Sequence, residues 1–175
     1  MLVYNCVITG DQLMSDSYKQ LPVVHDGKEL DGLFFVQSKK STKSGIVLDG
    51  ENPSAEAEAA DSGEETVNNI VDGEIGFNYN ESEKPKAGDF MKLFKMYCGA
   101  VKKGLQAKDK VPKPFMQSAK AFLPYLKANY KVMDFYLTKS MDPKSFVLGV
   151  WDDEAEAVGQ PKFLYFKHAL IEEKY

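Results

Sequence analysis

Apolar and polar positions along this chain change period twice, and the changes divide it into three stretches. Leu2-Val3-Tyr4 and Val7-Ile8 read as a short strand, closed by the turn chemistry of Thr9-Gly10-Asp11. Met14 to Val24 is weakly patterned. His25-Asp26-Gly27-Lys28 is a strong turn signal, and Leu30 to Val36, centred on Leu33-Phe34-Phe35-Val36, reads as a strand buried on one or both faces. Ser38 to Gly45 is a polar connector, and Ile46-Val47-Leu48 is a short strand. Val67, Ile70 and Val71 then bring the chain back to the core ahead of Gly73, and Ile75 to Tyr79 reads as a further strand.

From Lys86 the period becomes helical. Phe90, Leu93, Phe94, Tyr97, Val101 and Leu105 fall at three- and four-residue steps, the stripe of an amphipathic helix. Pro112 and Pro114 end that helix and open a second, which carries Phe115, Ala119, Phe122, Leu126 and Tyr130. A short link between two such helices predicts an antiparallel hairpin over about residues 86–130. Pro124 falls inside the second helix, where a kink or break is expected because proline lacks the backbone donor and crowds the preceding turn. The tail returns to strands at Asp134 to Thr138, Phe146 to Trp151 and Lys162 to Lys167. Strands on both sides of a helical hairpin must pair across it. The expected fold is therefore α+β, with a mixed or antiparallel β core, a protruding antiparallel helical hairpin and high contact order.

Charge sharpens the division. Asp49 to Asp72 holds eight acids and no Lys, and its first half has almost no apolar residue larger than Ala. Such a segment cannot bury enough surface to offset its ordering entropy, so a mobile acidic loop is expected over about residues 49–66. Lys84 to Lys113 then carries nine Lys against Asp89 and Asp109 alone. The 175 residues fit one domain large enough for a real core, residues 1–175. All 22 cations are Lys, so bidentate guanidinium recognition of phosphate and any arginine finger are excluded. A net charge of −4 argues against general nucleic-acid binding. No run approaches the roughly 20 apolar residues of a membrane span. The opening MLVYNCVITGDQ has neither the basic nor the apolar region of a signal peptide, so a cytoplasmic protein is expected. Asn80-Glu81-Ser82 matches a glycosylation acceptor, which has no meaning without secretion. Cys6 and Cys98 are too few for a disulfide framework or a four-ligand zinc site, and both read as reduced, buried thiols.

GENPSAE (Gly50 to Glu56) and EETVNNIVD (Glu64 to Asp72) resemble the translationally controlled tumour protein family. Val111-Pro112-Lys113-Pro114-Phe115-Met116, Ala128-Asn129-Tyr130 through Phe135-Tyr136, Met141-Asp142-Pro143, Phe163 to Lys167, Glu173-Lys174-Tyr175 and the opening from Tyr4 to Asp16 agree with it, collinear over essentially the whole length. The resemblance implies a β core with a protruding helical hairpin and a flexible acidic loop, similar to a small group of Rab-GTPase-binding chaperone or exchange proteins. It also implies a cytosolic protein, not an enzyme, that binds calcium, associates with tubulin and microtubules, and promotes growth in part through a Rheb-type small GTPase.

Departures from the family pattern are local. Gln12 stands where a Glu tied to the GTPase contact is usual, Thr138-Lys139 replaces Gly-Glu, His168-Ala169 replaces an Asp-Gly turn, and Pro124 has no usual counterpart; Gly73 to Ala87 also matches poorly. A neutral amide at Gln12 can hydrogen-bond but cannot repel phosphate, compete for magnesium or pair with a lysine. Guanine-nucleotide exchange on a Rheb-type GTPase and a divergent chaperone or scaffold therefore stand as alternatives to a non-enzymatic regulator.

Three sets of residues are the candidate sites. Gln12 is the implied GTPase contact. Asp49, Glu51, Glu56, Glu58, Asp61, Glu64 and Glu65 can offer oxygen ligands to calcium, although Asp61-Ser62-Gly63-Glu64 brings glycine too early for an EF-hand; a loose, salt-sensitive site is expected, with no cofactor required. Lys92, Lys95, Lys102 and Lys103 lie off the apolar stripe, as a face for an acidic surface such as tubulin's tails or as the polar side any soluble helix needs. A monomer is expected. His25 reads as an exposed turn residue and His168 as structural, with no nucleophile motif or glycine-rich phosphate loop to join them. Trp151 and the aromatic clusters read as sheet core.

Overall fold

The computed structural model of the protein describes residues 1–42 and 66–174. The strand expected at residues 46–48 and nearly all of the acidic loop lie outside the described residues. The rest forms eleven strands and three α-helices. The strands are β1 Leu2–Cys6, β2 Gln12–Ser15, β3 Leu21–His25, β4 Lys28–Gln37, β5 Lys40–Thr42, β6 Thr66–Asn68, β7 Asn80–Ser82, β8 Met133–Leu137, β9 Phe146–Val150, β10 Lys162–Phe166 and β11 Leu170–Lys174. The helices are α1 Ala87–Ala107, α2 Lys113–Asn129 and α3 Asp153–Val158.

Six strands in the order β3-β4-β10-β9-β8-β7 make the main sheet, β11-β1-β2 a second, and β5-β6 a third. Every pairing is antiparallel. The β3–β4 hairpin turns at the predicted place, with Asp26 at φ 51° and Gly27 at φ 74°. Two consecutive positive φ values make the tight turn whose twist matches the strands it joins, and glycine takes one without strain. Distant pieces pair as the order of elements required: β10 with β4, from Lys162↔Gln37 to Phe166↔Leu33, and β1 with β11, from Leu2↔Lys174 to Cys6↔Leu170.

Strand side chains alternate between two cores, one on each face of the main sheet. Leu33, Phe35, Met133, Phe135, Phe146, Leu148, Leu164 and Phe166 meet the helices. Phe34, Val36, Tyr136, Val147, Phe163 and Tyr165 face the other way, onto Cys6, Leu13, Met14, Ile70 and Tyr79. On the helical side α1 buries Phe90, Phe94, Tyr97, Val101 and Leu105, and α2 buries Phe115, Ala119, Phe122 and Leu126 along with Ser118 and Tyr125. Their rings meet the sheet directly: Tyr97 lies 4.9 Å from Phe146, and Phe122 and Phe115 lie 5.2 and 5.6 Å from Phe166, centroid to centroid. Each such pair contributes about 0.5–1.5 kcal/mol beyond the area it buries. The hairpin bend, 106–111, stands out into solvent. Near its end α1 comes close to the chain just after β1: a Cβ on Gly104 would stand 2.9 Å from the Val7 carbonyl oxygen, so only glycine allows the approach.

Several expectations need correcting. α2 runs unbroken through Pro124, because Pro124 and Lys120, whose carbonyl loses its partner, both lie on the exposed side, where water can take the freed hydrogen bond. Ile75 to Tyr79 is not a strand. There the chain folds on itself, Phe77 donating to Ile70 O at 2.8 Å and Tyr79 to Val71 O at 3.0 Å, while Asn68 Oδ1 accepts from Ile70 N at 2.9 Å. The local backbone bonds and the burial of Ile70 under the sheet outcompete strand pairing, and β7 starts only at Asn80. The polar connector contains β5, with Ser38, Ser41 and Thr42 buried; Ser38 Oγ donates to Pro161 O at 2.5 Å and accepts from Asn68 Nδ2 at 2.9 Å. Trp151 is half-buried at the end of β9 rather than in the core, its Nε1 donating to Asp134 Oδ2 at 2.8 Å. His25 is half-buried too, edge-on to Tyr125 at 5.9 Å. Cys6 is buried as expected, but Cys98 is only partly so. The weakly patterned stretch 14–24 holds the end of β2 and most of β3, and the tail holds an unpredicted strand, β11, and helix, α3.

Candidate interaction sites

Gln12 opens β2 with its side chain exposed, on the rim of a cleft of about 390 Å³ that also takes in Asp11, Gly76, Phe77, Asn78 and Lys139. The cleft wall is held by the neighbouring Asp11. Its carboxylate accepts from Thr138 Oγ1 at 2.6 Å, from the Ser140 N–H at 2.9 Å and from Ser140 Oγ at 2.6 Å, tying the β1–β2 turn to the turn after β8. Partial burial works against that charge, but the hydrogen bonds from Ser140 and Thr138 outweigh it and hold the Asp11 carboxyl below the usual carboxylate range. Behind the cleft, Tyr79 donates to Leu13 O and shares a 2.8 Å hydrogen bond with Tyr165, which braces the 69–79 segment against β2 and β10. Gln12 and Lys139, far apart in the chain, thus line one concave surface on a braced frame. Asp11 was not singled out from sequence; its place beside a turn glycine was the only local signal.

The four lysines singled out on α1 are all exposed, but they do not form one row. Lys95 and Lys102, seven residues apart, flank an apolar groove of about 430 Å³ between α1 and α2, and Lys120 of α2 joins them. Lys92 and Lys103 sit farther round α1, off the groove. None of these five makes an ion pair with the described residues. Met91, Cys98 and Gly99 of α1 and Met116, Ala119 and Leu123 of α2 line the groove. Burial pushes the Cys98 thiol up to about 11, so at neutral pH it is an apolar lining group and a poor nucleophile. Lys120 is not legible as part of this face from the sequence, because its grouping with Lys95 and Lys102 depends on how α2 lies against α1; its spacing four residues after Met116 and three before Leu123 is the one local signal.

Asp49, Glu51, Glu56, Glu58, Asp61, Glu64 and Glu65, the expected calcium ligands, lie outside the described residues. Among the described residues no three His, Cys, Asp or Glu groups stand close enough to hold a metal ion. His168 is half-buried beside Gly32, whose missing Cβ would stand 3.1 Å from its ring. A further ionic cluster joins β10 to α3. Lys162 is buried, with its ammonium 2.9 Å from Asp152 Oδ2 and 2.7 Å from Glu154 Oε2, and 5.5 Å from the centre of the Phe35 ring. Burial alone would lower its pKa, but the hydrogen bonds to Glu154 and Asp152 raise it above the ordinary lysine value. Asp152 Oδ1 meanwhile caps α3 by accepting from Ala155 N at 2.9 Å, so the cluster anchors a structural joint.

Among the described residues no helix is long and apolar enough to cross a membrane. Compared with known proteins, residues 1–171 match the family model described as translationally controlled tumour protein. The chain is 36% identical over 181 residues to the translationally-controlled tumor protein homolog of Schizosaccharomyces pombe, with all of both chains covered. To the Neurospora crassa homolog it is 34% identical over 182 residues, with 99% of each covered. The solved structure titled translationally controlled tumor-associated protein p23fyp from S. pombe superposes with a TM-score of 0.67 at 34% identity, over 100% of both chains. The antiparallel sheets, the helical hairpin laid on them and a match running from end to end agree: the chain belongs to the translationally controlled tumour protein family.

Proposed function

We propose that this protein is a non-enzymatic, cytoplasmic regulator. It meets a Rheb-type small GTPase through the Gln12 cleft and acidic partners such as tubulin's C-terminal tails through the hairpin, and its acidic segment 49–65 binds calcium weakly. The observation that carries the reading is the Gln12–Lys139 cleft: an exposed, concave surface at the position where the family resemblance puts the GTPase contact, held by Asp11 and Tyr79. A surface fixed in advance loses little entropy on docking.

Charge at the cleft separates the alternatives. An amide and an ammonium stand where family members usually carry two carboxylates, Lys139 at the second position, so Gln12→Glu alone would set its new charge across the cleft from Lys139. The test is therefore Gln12→Glu with Lys139→Glu, measured by calorimetry against a purified Rheb-type GTPase together with its nucleotide-release rate. Tighter binding by the double variant supports a GTPase site altered only in charge. Accelerated release by the unaltered protein would establish the exchange-factor alternative. No binding by either form would leave the scaffold reading in its place. A calcium titration followed by amide NMR at low and at physiological salt tests the acidic segment: shifts confined to residues 49–65 and their flanks support a weak site, and uniform shifts that vanish with salt remove it.

A further inference from the structure

We infer that the groove between α1 and α2 is a docking site for an acidic, amphipathic helix of a partner protein. The proposal rests on the reading of the hairpin as a face for acidic partners and specifies the shape of what binds there.

Apolar lining and charge together point to the occupant. Met91, Phe94, Cys98, Met116, Ala119 and Leu123 give the groove an apolar lining of flexible and branched side chains, Gly99 leaves it open, and among the described residues no acid lines it. Lys95, Lys102 and Lys120 stand along it with no ion pair to the described residues, so among those residues the rim is positive. Both sides are continuous α-helices whose backbone groups are bonded internally apart from the Lys120 carbonyl that Pro124 leaves to water, and the groove offers no strand edge for an extended peptide to join. A chain entering an apolar groove must satisfy its own backbone, which a helix does. Met91 and Cys98, like Lys95 and Lys102, are spaced seven residues apart, about 10 Å or two turns along α1. The matching ligand carries apolar anchors at i, i+3 or i+4, and i+7, flanked by Glu or Asp that meet the rim lysines. Methionine walls suit such recognition because the thioether side chain adapts to different anchors.

Gly99 supplies a steric test. It is exposed on α1, and a Cβ added there would meet nothing within 4 Å, so Gly99→Leu fills the groove without disturbing the fold. The probe is a fluorescein-labelled helical peptide of about 16 residues, roughly four turns, with Leu anchors at that spacing between Glu residues. Its controls are the same composition in scrambled order, a Glu/Ala peptide of equal charge, and vesicles of phosphatidylcholine and phosphatidylserine. Binding is read by anisotropy and located by the methyl signals of 13C-labelled methionine.

The amphipathic peptide is expected to bind at least roughly tenfold more tightly than either peptide control. It should shift the Met91 and Met116 methyls while leaving Met96 and Met141, exposed elsewhere, in place. Gly99→Leu should weaken it about tenfold with no loss of thermal stability, and Lys95→Gln with Lys102→Gln and Lys120→Gln should flatten its salt dependence. Equal binding of the scrambled peptide, unchanged affinity in Gly99→Leu, or methyl shifts caused by vesicles and not by the peptide would each overturn the proposal. Microtubule co-sedimentation separates this from the broader reading: pelleting that persists when the peptide fails to bind sinks the groove alone, and peptide binding without pelleting sinks the tubulin reading alone.

Discussion

Two charged residues tie elements together, Asp11 across most of the chain and Lys162 between β10 and α3, and both can be tested through pH and side-chain length. Asp11 takes three hydrogen bonds from Thr138 and Ser140 across 127 and 129 residues of sequence. Its folded pKa is lowered, so the folded state holds fewer protons than the unfolded chain, and this contribution is present above the unfolded pKa and lost as pH falls through the folded one. Asp11→Asn should cost about 1 kcal/mol at pH 7, the low end for a charged hydrogen-bond acceptor since the site is partly exposed and screened. Urea unfolding should show that difference shrinking below roughly pH 4. A variant that loses nothing at pH 7 would mean that the turn after β8 does not depend on Asp11. Lys162 has the opposite sign: its raised pKa keeps its contribution in full below the ordinary lysine value and loses it only as pH rises through the higher, folded one. Its partners reach water, with Asp152 36% and Glu154 77% exposed, so deleting the ammonium strands neither acid. Lys162→Met should therefore stay within about 1 kcal/mol of the parent, while Lys162→Ala, which also empties space beside Phe35, should cost about 2 kcal/mol.

The elements were partly readable beforehand, and the hairpin shows where propensity and packing part company. Gly99 and Gly104 lie in the same helix, and a propensity scale would replace both. Their surroundings differ: Gly99 faces open space, but a Cβ at Gly104 would press on the Val7 carbonyl oxygen. Gly99→Ala should raise stability by about 0.5–1 kcal/mol, and Gly104→Ala should lower it by 1–3 kcal/mol, roughly the cost of overpacking, because a backbone oxygen cannot swing aside. Paired thermal melts decide it; a stabilised Gly104→Ala would mean that α1 can move off Val7. Pro124 belongs at this scale as well. Because α2 continues through it on the exposed side, Pro124→Ala should restore one helical hydrogen bond and add about 1–3 kcal/mol without changing the buried stripe.

Over the whole molecule the decisive fact is that the chain closes on itself. β1 pairs with β11 and β4 with β10, so the second sheet and the centre of the main sheet need partners more than 120 residues apart. Closing such loops comes before the contacts that reward them, which slows folding. Refolding should fall in the millisecond-to-second range expected of non-local β pairing. Trp151, the one tryptophan of the chain, is a natural reporter, since its ring nitrogen bonds Asp134 across the β8–β9 pair. Microsecond refolding in a stopped-flow or temperature-jump trace would contradict this topology.

The sequence by itself determined what short-range chemistry controls. The helical stripe from Phe90 to Leu105 and the Asp26-Gly27 turn appear where pattern and turn residues put them, because side-chain period and backbone sterics act over a few positions. The strands of β4, β8, β9 and β10 were legible for the same reason. Tertiary structure decided the rest. Polar Ser38, Ser41 and Thr42 are buried since Pro161 and Asn68 lie within reach, and the 69–79 segment coils since Ile70 has a place under the sheet. Lys120 joins Lys95 and Lys102 on one groove, while Lys92 and Lys103 fall away, because that grouping depends on how α2 lies against α1. Gln12 and Lys139 line one cleft since Asp11 holds the Ser140 turn. Each of these depends on groups brought together from remote parts of the chain, and a linear pattern carries no record of such distances.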